Sequence, residues 1–237
     1  MELQNQQCET SDKKSDFFKQ TIYLVRHGET DANVKSIYQG RGFDPPLNEN
    51  GRGQVYRLAD FLAKEATDTK IIYTSPLRRT MDTMAIIAHV LSQKGDRDSE
   101  GQLLPRMIIE RGLAEIDHGD WDGKTIDEVK KIWPGILGLW QQGNQNFVEF
   151  PYGESVMKAR ERILSGFERI LDKNCEEKII IVAHGGTNSL ILAHILKTTF
   201  FRPILQSNAC LNIIERNFEN DKNDFKIALM NGTAHLL

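Results

Sequence analysis

The stretch IYLVRHGETDAN, residues 22–33, decides how the rest of the chain is read. An apolar, largely β-branched run, Ile22 to Val25, gives way at Arg26, His27 and Gly28 to small polar residues. That is the pattern of a buried strand entering a tight loop. A second run, KIIIVAHGG, begins at Lys178 and shows no polar alternation until it ends in His184, Gly185 and Gly186. A strand buried on both faces reads this way, as in a parallel sheet covered by helices. A third strand is predicted over 70–73 and ends in SPLRRTMDT, residues 75–83, which carries Arg78 and Arg79.

Between these strands the apolar spacing is helical. Val55, Leu58, Ala59 and Leu62 recur every three or four residues behind a capping Asn48, which predicts a helix over 49–64. A helix is expected after Arg79 up to Leu91, a surface excursion over 92–102, and a short strand over 107–109. Thr125 and Glu128 have capping-box spacing for a helix ending before Pro134, and a weaker helix follows over 135–142. A long helix is expected from Ser155 to Leu171, and another over 188–196 whose N-terminal amides form an anion site. Two strands, 210–216 and 225–230, joined by a polar turn over 217–224, complete the chain. Strands alternating with helices predict a three-layer α/β/α fold around a mostly parallel, mixed sheet with a terminal hairpin.

The chain has 237 residues, 40% apolar and 27% charged, with a formal net charge of −3. Length and composition suit one globular domain, expected over 20–237, preceded by a polar tail over 1–19 that cannot bury enough surface to order alone. The mild negative charge gives no support to binding of nucleic acid or a membrane surface, both of which usually need a concentrated basic face. No apolar window is long enough for a membrane span, and the N-terminal residues lack the apolar core of a secretory signal. Cys8, Cys175 and Cys210 are odd in number and widely spaced, which favours neither a disulfide framework nor a metal knuckle, so a cytoplasmic location is expected.

Two strands ending in histidine and one ending in an arginine-bearing loop suggest a site for a phosphoryl group. In parallel α/β sheets ligands bind beyond the carboxyl ends of the strands. Guanidinium groups neutralise phosphate oxygens, and a neutral imidazole can attack phosphorus.

LVRHGET resembles the signature of the histidine phosphatase superfamily, which includes cofactor-dependent phosphoglycerate mutases, the bisphosphatase domain acting on fructose 2,6-bisphosphate, and broad-specificity phosphatases. The likeness runs from Thr21 to the C-terminus, through SPLRRTMDT, LAEIDHGDWDG, GES (153–155) and AHGG. It implies a phosphoglycerate mutase-like fold and needs no metal or other cofactor. It assigns His27 as the nucleophile that forms a phosphohistidine, Glu115 as proton donor and acceptor, and His184 as a hydrogen-bonding partner of the phosphoryl group. Arg26, Arg79 (in preference to Arg78, a solvated neighbour), Asn33 and Gly185 are assigned to phosphate binding, and Arg41 more weakly to the substrate. His118 stands where relatives often carry an aromatic residue and is taken as packing. Asn231, Thr233, His235 and Leu236 also follow relatives and are expected to close the sheet edge.

Within this superfamily a phosphatase acting on a small-molecule phosphate ester is the leading expectation, and a phosphoglycerate mutase the alternative. Mutases carry a longer, basic insertion between the catalytic Glu and GES, whereas residues 122–152 here offer only Lys124, Lys130 and Lys131. A non-catalytic binding relative is disfavoured because every chemistry-bearing position is filled. Substrate specificity is expected in loops 37–46 and 136–150.

Overall fold

β1 (Phe17–Arg26) lies at the centre of a six-stranded sheet in a computed structural model that describes residues 17–66, 68–93, 105–142, 145–174, 176–198, 204–219 and 222–237. The other strands are β2 (Ile71–Thr74), β3 (Arg106–Ile109), β4 (Lys178–Ala183), β5 (Leu211–Glu219) and β6 (Lys222–Gly232). Their order is β3-β2-β4-β1-β5-β6, with the first four mutually parallel, β5 antiparallel to β1 and β6 antiparallel to β5.

Both faces of the central strands are buried. Along β1, Ile22 and Leu24 enter one core while Tyr23 and Val25 enter the other; along β4, Ile179 and Ile181 are divided in the same way from Ile180 and Val182. One core is closed by α2 (Glu49–Glu65) and α3 (Arg78–Ser92), whose Val55, Leu58, Leu62, Met84 and Ile87 pack beneath the sheet. The other is closed by α6 (Val156–Asp172) and α7 (Gly185–Ile195), with α4 (Ile126–Ile132) and α5 (Pro134–Gln141) at its end. The three-layer α/β/α reading therefore describes the molecule. Among the described residues no helix is long and apolar enough to cross a membrane.

The expected helix caps are present. Asn48 Oδ1 accepts the Gly51 N–H at 2.7 Å, Thr125 and Glu128 form a capping box, and Ser155 caps α6. A side-chain N-cap contributes about 1 kcal/mol.

Four boundaries differ from the sequence reading. β1 begins at Phe17, so 17–19 belong to the sheet rather than to a tail; Phe18 stacks on Phe218 at 5.2 Å across β5. The terminal strands run through 217–219 and 222–224, where a turn was expected, because Arg216 lies over the rings of Phe18 and Phe218 and extends the pairing. A short helix, α1 (Asp31–Val34), follows the first loop. α7 starts at Gly185, three residues early, with His184 as its N-cap. Residues 1–16, most of the 92–102 excursion, Cys8 and Cys175 lie outside the described residues, whereas Cys210 is a buried free thiol. At the C-terminus His235 Nε2 donates to Ala209 O at 2.9 Å and Leu236 packs against the α2–α3 core.

Candidate active site

The β1–β4 register pairs Arg26 with Ala183, so His27 and His184 leave the sheet side by side. Their ring centroids are 5.4 Å apart at 63°. His27 Nδ1 is 2.7 Å from Gly28 O. A carbonyl only accepts, so Nδ1 carries the proton and the Nε2 lone pair is left for a ligand. His184 meets the protein through its other ring nitrogen. Its Nε2 is 2.7 Å from Ser75 Oγ, which itself accepts the Leu77 N–H at 3.3 Å. With the Ser75 hydroxyl proton given to Nε2, His184 carries its own proton on Nδ1, a buried atom with no protein partner. Burial, followed by the charges of Arg79 and Arg26, holds His27 well below the usual imidazole range. Burial first, then Arg79 and His27, does the same to His184. Both rings are neutral at physiological pH.

Arg26 and Arg79 stand against these rings. Arg26 Nη1 donates to Gln206 O at 2.5 Å, while its Nε is buried and unpaired. Gln206 is held in turn by Asn212, whose Nδ2 reaches Gln206 Oε1 at 2.8 Å. Arg79, fully buried, donates Nη1 to Asp44 Oδ1 at 2.8 Å and Nη2 to Gly40 O at 3.1 Å, and its Nε is also unpaired. Burial draws both guanidinium groups below their ordinary value, though each keeps its charge. Gly185 completes this wall, since a Cβ there would stand 3.5 Å from Arg26 Nε. Buried donors without partners are rare in folded proteins and call for a ligand or water. Arg26 Nε, Arg79 Nε and His184 Nδ1 suit the oxygens of a tetrahedral anion.

Glu115 closes the pocket from a loop. Its Oε1 accepts the Ile116 and Thr187 N–H groups at 2.9 and 3.0 Å, and its Oε2 accepts that of Gly186 at 2.9 Å. The amides at the start of α7, where an anion site was expected, are therefore engaged by the Glu115 carboxyl group. Gly186 permits the approach, because a Cβ would lie 2.6 Å from Glu115 Oε1. The sequence reading began this helix at 188, because this close packing is a long-range effect.

Asn33 stands at the edge. Its Oδ1 accepts from Thr30 N and Asn208 Nδ2, each at 3.0 Å, which leaves Nδ2 for a ligand. Arg78 is exposed. Arg41 is not turned to a substrate: its Nη2 pairs with Glu154 at 2.9 Å and its Nε donates to Glu115 O at 3.2 Å. His118 packs among Tyr38, Trp140 and Phe150, its ring 4.7 Å from that of Phe150. The sequence reading gave no role to Ser75, Asp44, Gln206, Glu154 or Arg162. Ser75 and Glu154 lay inside quoted motifs, and the other three carried no signal.

The chain matches the Histidine phosphatase superfamily (branch 1) over residues 22–231. It is 32% identical over 163 residues to phosphoserine phosphatase 1 of Hydrogenobacter thermophilus, covering 69% of this chain and 70% of the relative. It is 30% identical to the uncharacterized phosphatase PhoE of Bacillus subtilis, over 91% of this chain and 96% of that one. The solved structure of Bacillus stearothermophilus YhfR is similar with a TM-score of 0.77 and 30% identity, covering 92% of this chain and all (100%) of the other. The chain belongs to the histidine phosphatase superfamily, branch 1, and with it to the hydrolases of phosphomonoesters.

Proposed function

We propose that the chain is a metal-independent phosphatase that hydrolyses a small-molecule phosphate ester through a phosphohistidine on His27. One observation carries this reading: a neutral His27 with its Nε2 lone pair free, beside three buried donor nitrogens that lack partners. Nε2 attacks phosphorus, the bond to the ester oxygen breaks, and its electron pair stays with the leaving alcohol, which takes a proton from Glu115. Arg26, Arg79, Asn33, Gly185 and His184 Nδ1 hold the non-bridging oxygens as charge spreads over them. A water then gives its proton to Glu115 and attacks phosphorus, the N–P bond breaks, and inorganic phosphate leaves.

Hydrolysis is preferred to mutase transfer because residues 122–152 offer few cations for a second anionic group, and Lys124 is engaged over the Trp133 ring at 5.9 Å. Cytoplasmic residence belongs to the same proposal and rests on cysteine usage. The test is phosphate release from a panel of metabolite monoesters, with 3-phosphoglycerate assayed both with and without 2,3-bisphosphoglycerate. Release that persists in excess chelator supports the reading. Loss with chelator and recovery with a divalent ion would overturn metal independence. Isomerisation of 3-phosphoglycerate outpacing phosphate release would favour the mutase.

A further inference from the structure

α7 fixes the carboxylate of Glu115, but a separate set of side chains fixes its backbone. Beyond the single turn Arg111–Leu113, residues 114–118 have no regular structure of their own. Arg162, on α6, reaches across to them: Nη1 donates to Gly112 O and Ala114 O at 2.8 and 2.9 Å, and Nη2 to Glu115 O at 3.3 Å. Arg41 Nε donates to the same Glu115 oxygen at 3.2 Å. Glu154, next to the cap of α6, joins the two guanidinium groups. Its Oε1 is 2.6 Å from Arg162 Nη2, both its oxygens are 2.9 Å from Arg41 Nη2, and Oε1 also accepts the Asp117 N–H at 2.9 Å. Burial alone would raise the Glu154 pKa, but the Arg162 hydrogen bond, the Asp117 amide and the two positive charges outweigh it and hold the group ionised. Three carbonyls and one amide between Gly112 and Asp117 thus end on three charged side chains.

We propose that Glu154 and Arg162, assisted by Arg41, are positioning residues for proton transfer: they set where the Glu115 carboxyl stands relative to the leaving oxygen. The inference rests on the reading of Glu115 as proton donor given above. A general acid acts only within hydrogen-bond reach, and a misplacement of about 1 Å can cost about a hundredfold. The loss has a signature. An alkoxide needs the proton as it departs, whereas p-nitrophenolate leaves as an anion, so a displaced Glu115 penalises alkyl phosphates selectively. Damage to the phosphate pocket or to the fold would slow both substrates alike.

The experiment measures the burst phase of phosphoenzyme formation from glycerol 2-phosphate and from p-nitrophenyl phosphate. It uses the wild type, Glu154→Gln, Arg162→Met, Arg162→Lys and Arg41→Met, with Glu115→Gln as the reference. General acid catalysis supplies about a hundred- to ten-thousand-fold, so Glu154→Gln and Arg162→Met should lose at least about tenfold more on the alkyl substrate than on the aryl one. Arg162→Lys should recover part of that difference, and adding Glu154→Gln to Glu115→Gln should add no further selectivity. If Glu154→Gln does not fold, the two Arg162 variants and Arg41→Met carry the same comparison. Equal losses on both substrates, or no loss in any variant, would overturn the proposal. Near-normal turnover in His27→Ala, measured first, would instead overturn the underlying reading of His27.

Discussion

Ser75 Oγ lies 2.7 Å from Nε2 of His184 and accepts the Leu77 N–H at 3.3 Å. A serine hydroxyl that donates to Nε2 leaves the ring proton on Nδ1, the nitrogen that then faces the phosphoryl group as a donor. Ser75→Ala should retain the fold but lose about tenfold in kcat/KM, the equivalent of one hydrogen bond. Because the lost bond favoured the neutral ring, the acid limb of the pH profile should move to higher pH. Ser75→Thr, which keeps the hydroxyl, should restore both. An unchanged profile in Ser75→Ala would mean that the tautomer is set elsewhere.

The two buried histidines also make stability depend on pH. Their folded pKa values lie well below the ordinary 6.5 of the unfolded chain. The unfolded state therefore binds more protons below pH 6.5, and stability, flat above that value, falls as the solution is acidified. Each histidine contributes up to about 1.4 kcal/mol per pH unit in this window. Urea midpoints at pH 7.5 and 5.5 should show a drop in the wild type that is smaller in His184→Asn. Equal drops would contradict the assignment of His184 as buried and neutral.

Two glycines should separate chemistry from folding. At Gly186 an added Cβ would press on Glu115 Oε1, the end of a side chain, 2.6 Å away. Gly186→Ala should fold and yet slow alkyl phosphate cleavage at least about tenfold, since the displaced group is the proton donor. At Gly51 the added carbon would overlap Glu29 O and lie 2.6 Å from Glu29 N, both backbone atoms. Gly51→Ala should cost about 2–3 kcal/mol of stability by overpacking. Thermal melts and burst rates on the two variants check the contrast, and similar behaviour of both would refute it.

Much of the fold was legible because a parallel strand buried on both faces must be a near-continuous apolar run. IYLV and KIIIV satisfy this, and their adjacency in the sheet places His27 beside His184. The supporting polar residues were not legible. Arg162 reaches Glu115 O across 47 positions, Arg79 reaches Asp44 across 35, and Arg26 reaches Gln206 across 180. In sequence such residues are indistinguishable from solvated surface groups. Residues 217–219 and 222–224 looked like a turn because all but Phe218 are polar, while in the sheet Arg216 lies over the neighbouring Phe218 and the distant Phe18.

The central claim is that His27 Nε2 takes the phosphoryl group. Rapid mixing with a ³²P-labelled phosphomonoester, an alkaline quench that preserves N–P bonds, and peptide mapping test it most directly. Label is expected on His27 in the wild type, accumulating before phosphate release, with neither label nor turnover in His27→Ala. Label on another residue, or near-normal turnover in His27→Ala, would contradict it.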